Sequence, residues 1–215
     1  MNKAVKTKVI SINPEDIEIS KLKLVVSELK KGKVIVFLTD TLYGLGVDFE
    51  NHEAVKRIFQ IKERSIDKPL LLLISEISEV SKLAINISPS LYELMSKFWP
   101  GPLTLVLKAK RKIFGITSAD GKIALRMPNS PMALTLIKYF NKPLTAPSAN
   151  LSEKENLLTE EEIERVFEGK VDLIVKGGRC KSEKPSTLLD CSNRTPVLLR
   201  EGVLSFSEIL KVYRE

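Results

Sequence analysis

Four short polar segments interrupt the apolar stretches of this 215-residue chain and carry its most concentrated capacity for chemistry. Thr39-Asp-Thr-Leu-Tyr-Gly-Leu-Gly46 directly follows an apolar run and sets hydroxyls at Thr39 and Thr41 beside two glycines that permit close backbone approach. Lys62-Glu-Arg64-Ser-Ile-Asp-Lys68 gathers three cations. Residues two apart share a face only in extended chain, so Lys62 and Arg64 converge if the preceding helix has ended by then. With Lys68 they would form a compact cationic rim suited to a triphosphate, the arginine contributing a planar fork. Ala124-Leu-Arg126-Met-Pro128 closes an apolar strand on an arginine. Ala146-Pro-Ser148-Ala-Asn150 offers a hydroxyl and an amide that project the same way in an extended loop. Taken singly, each has a plainer reading: a tight connection, solvated charges at a helix end, an ordinary Ser or Asx turn.

Several familiar chemistries are excluded. His52 is the only histidine and falls beside a helix start, where it reads as a surface residue. A Ser-His-Asp or Cys-His site would depend on it, and no Gly-x-Ser-x-Gly elbow accompanies it. No His/carboxylate cluster has metal-ligand spacing. Gly121-Lys122 lacks the upstream glycine of a phosphate loop, and Ile123 stands where Ser or Thr is required. Gly44-Leu-Gly46 is not a dinucleotide fingerprint, because Phe49 takes the third glycine position. Cys180 and Cys191 match no zinc pattern and read as free, buried thiols of a reducing compartment.

The elements that must position these segments alternate between strand and helix from end to end, which indicates an α/β domain. Expected strands are Lys8–Ile12, Val34–Leu38, Leu70–Ile74, Leu103–Leu107, Ile123–Leu125, Leu144–Ala146, Leu173–Val175, Thr187–Leu189 and Val197–Leu199. Ser20 is expected to cap a helix with Leu22, Val25, Val26 and Leu29 inward, ended by Gly32, and Asn51 to cap the next. Ser88-Pro89 and Ser130-Pro131 each place a capping hydroxyl before a first-turn proline, while Thr159-x-x-Glu162 and Ser205-x-x-Glu208 read as capping boxes. The polar segments fall at strand ends, where ligands bind in open α/β sheets.

Composition agrees. Hydrophobic residues make up 43% and charged residues 28%, which is globular and excludes disordered or collagen-like chains. Lys and Arg number 34 against 27 Asp and Glu, and the net +7 favours an anionic partner, nucleotide or nucleic acid. The N-terminus lacks a signal-peptide core, and the most apolar run, Pro69–Ile74, is too short to span a bilayer, so a soluble, cytoplasmic protein with no membrane contact is expected. With no linker or repeat, residues 1–215 are read as one domain.

Together the segments resemble the YrdC-like threonylcarbamoyl-AMP synthase family. The resemblance rests on Thr39–Gly46, Lys62-x-Arg64, Phe98-Trp-Pro-Gly-Pro-Leu-Thr104, Arg126-Met-Pro, Ala146-Pro-Ser-Ala-Asn-Leu-Ser152, Gly177-Gly178, Pro185-Ser-Thr187 and Leu199-Arg200-Glu-Gly202, in that order from about residue 7 to 210. It implies a twisted, open mixed sheet flanked by helices around a basic concave pocket, in the single-domain form. It also implies nucleotidyltransferase chemistry: L-threonine, bicarbonate and ATP, with Mg²⁺ held through the ATP phosphates, give threonylcarbamoyl-AMP and pyrophosphate. Partner tRNA threonylcarbamoyl transferase proteins would then modify an adenosine beside the anticodon. By the same resemblance Thr41, Arg126 and Ser186 contact L-threonine. Lys62, Arg64, Lys68, Ser148, Asn150 and Arg200 line the ATP side, with Lys62 and Arg64 as the catalytic pair. Leu38 stands where many members have Pro, Lys68 where some have Asn, and Leu73 where some have a threonine-holding His; Lys122 and Asn156 align with nucleotide-contacting positions in some relatives. The alternatives are a non-catalytic RNA-binding protein, with tRNA or RNA bound directly, and a YrdC-like paralogue of different activity. Few aromatics (6%) and no stacking motif weigh against the RNA module.

Overall fold

The structure, a computed structural model, describes residues 5–151 and 154–213. Ser152, last residue of the Ala146–Ser152 motif, lies outside the described residues. The chain runs β1 (Lys8–Ser11), α1 (Ile19–Lys30), β2 (Ile35–Leu38), β3 (Tyr43–Gly46), α2 (His52–Lys62) and β4 (Leu72–Leu73). A short 3₁₀ turn (Ile77–Glu79) leads into α3 (Val80–Leu83), β5 (Ala84–Ile85), α4 (Pro89–Phe98), β6 (Leu103–Ala109) and β7 (Lys122–Arg126). Then follow α5 (Pro131–Phe140), β8 (Leu144–Thr145), α6 (Glu160–Phe167), β9 (Leu173–Lys176), β10 (Thr187–Asp190), β11 (Val197–Arg200) and α7 (Phe206–Leu210).

The strands form an open, mixed system in two sections, ordered β1-β9-β2-β3 and β11-β10-β6-β7-β4-β8, with β5 on β6. The expected open mixed α/β architecture is found. Isolated bridges Gly44↔Ser148 and Asp48↔Leu144 stitch the sections together. Near that seam Gly44 packs closely: a Cβ there would stand 3.1 Å from the Ala146 Cβ, which would have to give way. The smaller section is knotted by Asp172, which accepts from Val34 N at 2.9 Å and Arg57 Nη1 at 2.7 Å and pairs with Lys33 at 3.2 Å.

Helix starts follow their local chemistry. Asn51, Ser88 and Ser130 accept from Ala54, Leu91 and Ala133 N–H groups, and the Thr159 and Ser205 boxes are both closed. Three expectations are corrected. Helix α1 begins at Ile19, so Ser20 lies in its first turn, and the N-cap Glu18 makes no side-chain cap bond. The strand expected over Leu70–Ile74 is reduced to Leu72–Leu73, because the flanking groups bond irregularly: Leu70 N to Gly115 O and Ala146 N to Leu71 O. Tyr43–Gly46 is not a connection to the next helix but a strand antiparallel to β2, fully buried despite its two glycines. His52 is exposed with its ring 5.3 Å from that of Phe114, and both cysteines are buried and free. Among the described residues no helix is long and apolar enough to cross a membrane.

Candidate active site

The pocket floor is a single row of residues across four strands. Leu73 on β4 is in register with Arg126 on β7. The β6–β7 register, continued one pair beyond Leu105↔Leu125, sets Thr104 opposite Arg126, and Thr104 in turn is in register with Leu188 on β10. A cation and a hydroxyl thus sit side by side between two leucines. Walls come from the β2–β3 turn, the segment after α2, the Pro147–Ser148 stretch, the Pro185–Ser186 stretch and Arg200, enclosing a cavity of about 120 Å³.

Arg126 is 3% exposed and fixed from three directions. Its Nε donates to Gly101 O at 3.0 Å, Nη1 to Thr41 Oγ1 at 2.9 Å, and Nη2 to the Asp40 carboxylate. Burial pulls its pKa below the ordinary guanidinium value, and Asp40 opposes that shift. The Phe98–Thr104 motif acquires a physical role here. Gly101 must be glycine, since a Cβ would lie 2.4 Å from Phe98 O, and its carbonyl orients Arg126 while Thr104 begins the floor.

Two further guanidiniums face the same space. Arg64 donates Nε to Lys68 O at 2.7 Å and Nη2 to Pro69 O at 3.2 Å, which leaves further N–H groups on a residue that lines the cavity. Arg200 donates Nη2 to Ser186 O at 2.9 Å, and its pKa is lowered by burial and by the positive charges of Arg64 and Arg126. Tight folding sets Arg200 there. The Thr187 hydroxyl accepts from Gly202 N and Leu204 N, both at 3.0 Å, and a Cβ on Gly202 would stand 2.1 Å from Pro185 O. Three cations against the single carboxylate Asp40 make an anion-receptive pocket.

Lys62 departs from the expected rim. Helix α2 continues through Lys62, which falls on its buried stripe with Val55, Ile58 and Phe59, and is 2% exposed. Its ammonium donates to Ser148 O at 2.5 Å, Asn150 O at 2.6 Å and Asn150 Oδ1 at 3.2 Å, which occupies all three protons. Burial, with Arg64 nearby, brings its pKa down to about 7. Glu63 then adopts a left-handed conformation, φ 51°, and turns Arg64 into the cavity. Lys62 therefore ties helix α2 to the Ser148–Asn150 loop instead of lining the rim. Lys68 is exposed and is not among the lining residues, so the compact three-cation rim is not formed.

Thr41, Arg126, Ser186, Arg64, Ser148 and Arg200 all border the one cavity, while Asn150 stands behind Ser148, whose hydroxyl donates to Asn150 Oδ1 at 2.8 Å. Lys122, at the other end of β7, pairs with Asp190 and Asp120, and Asn156 bonds Glu183 O; neither lines the cavity. Sequence reasoning assigned no role to Asp40, Gly101 or Thr104 individually, although all three stand inside motifs it singled out. Among the described residues no group of three His, Cys, Asp or Glu could hold a metal ion.

A family model described as Sua5_yciO_yrdC, telomere recombination, matches residues 27–202. The chain is 39% identical over 202 residues to a threonylcarbamoyl-AMP synthase of Pyrococcus abyssi, covering 94% of this chain and 59% of that protein. The crystal structure of P. abyssi Sua5 complexed with L-threonine superposes with a TM-score of 0.91 at 38% identity, over 95% of this chain and 60% of the other. E. coli YciO matches with a TM-score of 0.88 at 29% identity, over 97% and 100%. The chain thus spans about three fifths of the length of its Pyrococcus relative.

Proposed function

The chain belongs to the Sua5/YciO/YrdC family, and from that premise we propose that it is an L-threonylcarbamoyladenylate synthase, a nucleotidyltransferase that joins L-threonine, bicarbonate and Mg·ATP. The observation that carries this reading is the pocket itself: three arginines line one small cavity whose floor pairs a cation with a hydroxyl between leucines. At about 120 Å³ it is well below the roughly 300–1,000 Å³ of sites for drug-sized ligands, which suits a small amino acid.

The substrates themselves supply the nucleophiles. The threonine amine attacks CO₂, formed from bicarbonate with loss of water, and gives up a proton to become a carbamate; a carbamate oxygen then bonds to the α-phosphorus of ATP as the bond to the leaving pyrophosphate breaks. No protein nucleophile is needed, in keeping with a single, exposed histidine. The protein's part is to hold reactants in line and to stabilise developing charge with preorganised donors. Arg126, Thr41 and Ser186 would take the amino acid. Arg64, Arg200 and Ser148 would face the phosphates, with Lys62 and Asn150 holding Ser148 in place and Lys68 reaching the nucleotide from outside. The adenylate would pass to transferase proteins that modify tRNA.

The test is pyrophosphate release from ATP, Mg²⁺, bicarbonate and L-threonine. Release is expected only with all four present; equal release without L-threonine would sink the assignment.

A further inference from the structure

The Gly177-Gly178 pair borders no part of the cavity, yet a side chain of the pocket wall is spent on it. Tyr43, at the start of β3, lines the cavity and is 1% exposed. Its hydroxyl donates to Gly178 O at 2.6 Å and accepts from Gly177 N at 3.3 Å. Both glycines follow the end of β9, and β2 lies between β9 and β3 in the sheet. The tyrosine therefore reaches past its neighbouring strand to the end of the next one. The anchor there is firm. Gly178 holds a positive φ of 87°, and its own N–H donates at 2.8 Å to Glu160 Oε2, in the first turn of α6.

From Tyr43 the linkage continues through the backbone. Tyr43 O accepts from Ala149 N at 2.7 Å, and Leu45 N donates to Pro147 O at 2.9 Å, with Gly44 bridged to Ser148 between them. Ser148 is thus flanked on both sides by bonds to β3. The threonine-facing side of the pocket has supports of its own. Thr39 Oγ1 donates to Leu42 O at 2.6 Å and accepts from Thr41 N at 3.2 Å, while Arg126 holds Thr41 Oγ1 and Asp40. A shift at the start of β3 is therefore carried to Ser148 more directly than to Thr41. Placement at that level matters, since a displacement of about 1 Å costs a reaction of this kind about 100-fold.

We propose that Tyr43 is a positioning residue for the nucleotide: its hydroxyl, fixed on Gly177-Gly178, sets β3 and through it Ser148. The proposal rests on the synthase reading, in which Ser148 faces the phosphates. It gives the glycine pair a part in nucleotide binding without contact to substrate.

Steady-state kinetics of pyrophosphate release, together with amide hydrogen exchange, test it on the full chain. Tyr43→Phe removes the hydroxyl and keeps the ring. KM for ATP is expected to rise about 10-fold, as for one buried hydrogen bond lost. KM for L-threonine and kcat should stay within about two- to three-fold of the parent, because their supports share no partner with the tyrosine hydroxyl. The Ala149 amide should exchange about 10-fold faster while the amides of β6 keep the parent rate. Glu160→Ala frees Gly178 from a helix outside the pocket and leaves Tyr43 in place, so it carries the test should Tyr43→Phe fail to fold. Its KM for ATP is expected to rise about three-fold, again without the L-threonine value. A folded variant of either kind with the parent's KM for ATP overturns the proposal. Values for both substrates rising together, or exchange quickening throughout the protein, would mark a merely structural bond and also overturn it. A parent whose pyrophosphate release requires L-threonine keeps the synthase reading intact in all of these cases; one whose release does not overturns both.

Discussion

Two sides of the pocket use their polar groups in opposite ways. At the Lys62 corner every ammonium proton meets a protein oxygen, on Ser148 or Asn150, and the side chain is sealed from solvent. Across the cavity Arg64, Arg126 and Arg200 each keep N–H groups beyond those bonded to Lys68, Pro69, Gly101, Thr41, Asp40 and Ser186. Saturated groups hold the frame; groups with remaining donors border the cavity. Lys62 and Arg64 stand two residues apart in one motif yet fall on opposite sides of this division, because helix α2 ends between them.

The division is tested first where the two roles meet. Arg126 holds Asp40 and keeps two donors for the pocket, so Arg126→Ala should strike twice. Turnover should fall by about 10³-fold or more with loss of a preorganised donor and its charge. Stability should fall by about 3–5 kcal/mol, because Asp40, with its side chain only 8% exposed, is left buried without its partner. Steady-state kinetics and denaturant melts read the two effects separately. Normal stability with lost turnover would mean that Asp40 is not held by Arg126.

The motif pair comes next. Arg64→Ala should cut turnover by about 10²-fold while leaving the melting temperature within a degree or two, since only two backbone carbonyls near the surface lose a donor. Lys62→Met keeps the apolar stem on its buried stripe but withdraws the donor from Ser148 O and Asn150 O. It should cost about 2–3 kcal/mol of stability, with a smaller loss of turnover, about 10-fold, that follows the displaced Ser148. If Lys62→Met were fully stable and as inactive as Arg64→Ala, Lys62 would belong with the ligand-facing groups and the division would fail.

Legibility in the sequence follows the range of the interaction. Capping residues Asn51, Ser88, Ser130, Thr159 and Ser205 were readable because each bonds a backbone group three residues away. Ser20 misled because the chain enters α1 two residues earlier, with Glu18 at the N-cap position and no side-chain cap bond. The Tyr43–Gly46 strand was not readable, since its strand character comes from pairing with β2 and from Leu45 N reaching Pro147 O. Within the site, Thr41 and Arg126 stood out as polar residues at strand ends, and Ser186 was reached only through the family resemblance. Asp40, Gly101 and Thr104 lay in the same motifs, but their roles depend on the β6–β7 and β6–β10 registers, which one sequence does not contain. Lys62 did carry a signal. Its helical phase with Val55, Ile58 and Phe59 points inward, and that phase outweighs the appearance of a charge cluster.

The smallest effect on turnover belongs to the frame's other saturated charge, at the end of β2 opposite the pocket. Burial alone would raise the Asp172 pKa, but Val34 N–H, Arg57 and Lys33 outweigh it and hold the carboxyl below its ordinary value of 3.8. A folded-state pKa below the unfolded one gives stability that is complete above the unfolded value and lost as pH falls through the folded value. Acid melts of the parent should therefore show a loss of stability below about pH 4 that Asp172→Asn does not share. At neutral pH Asp172→Asn should melt roughly 3–8 °C lower, as expected for about 1.5–2 kcal/mol lost from charge-assisted bonds in a chain of this size. Its turnover should stay within about two-fold of the parent, because distant sites that share no partners act independently. Should Asp172→Asn instead lower turnover as much as Lys62→Met at equal stability, the frame and the ligand-facing wall would be coupled and their separation would be wrong.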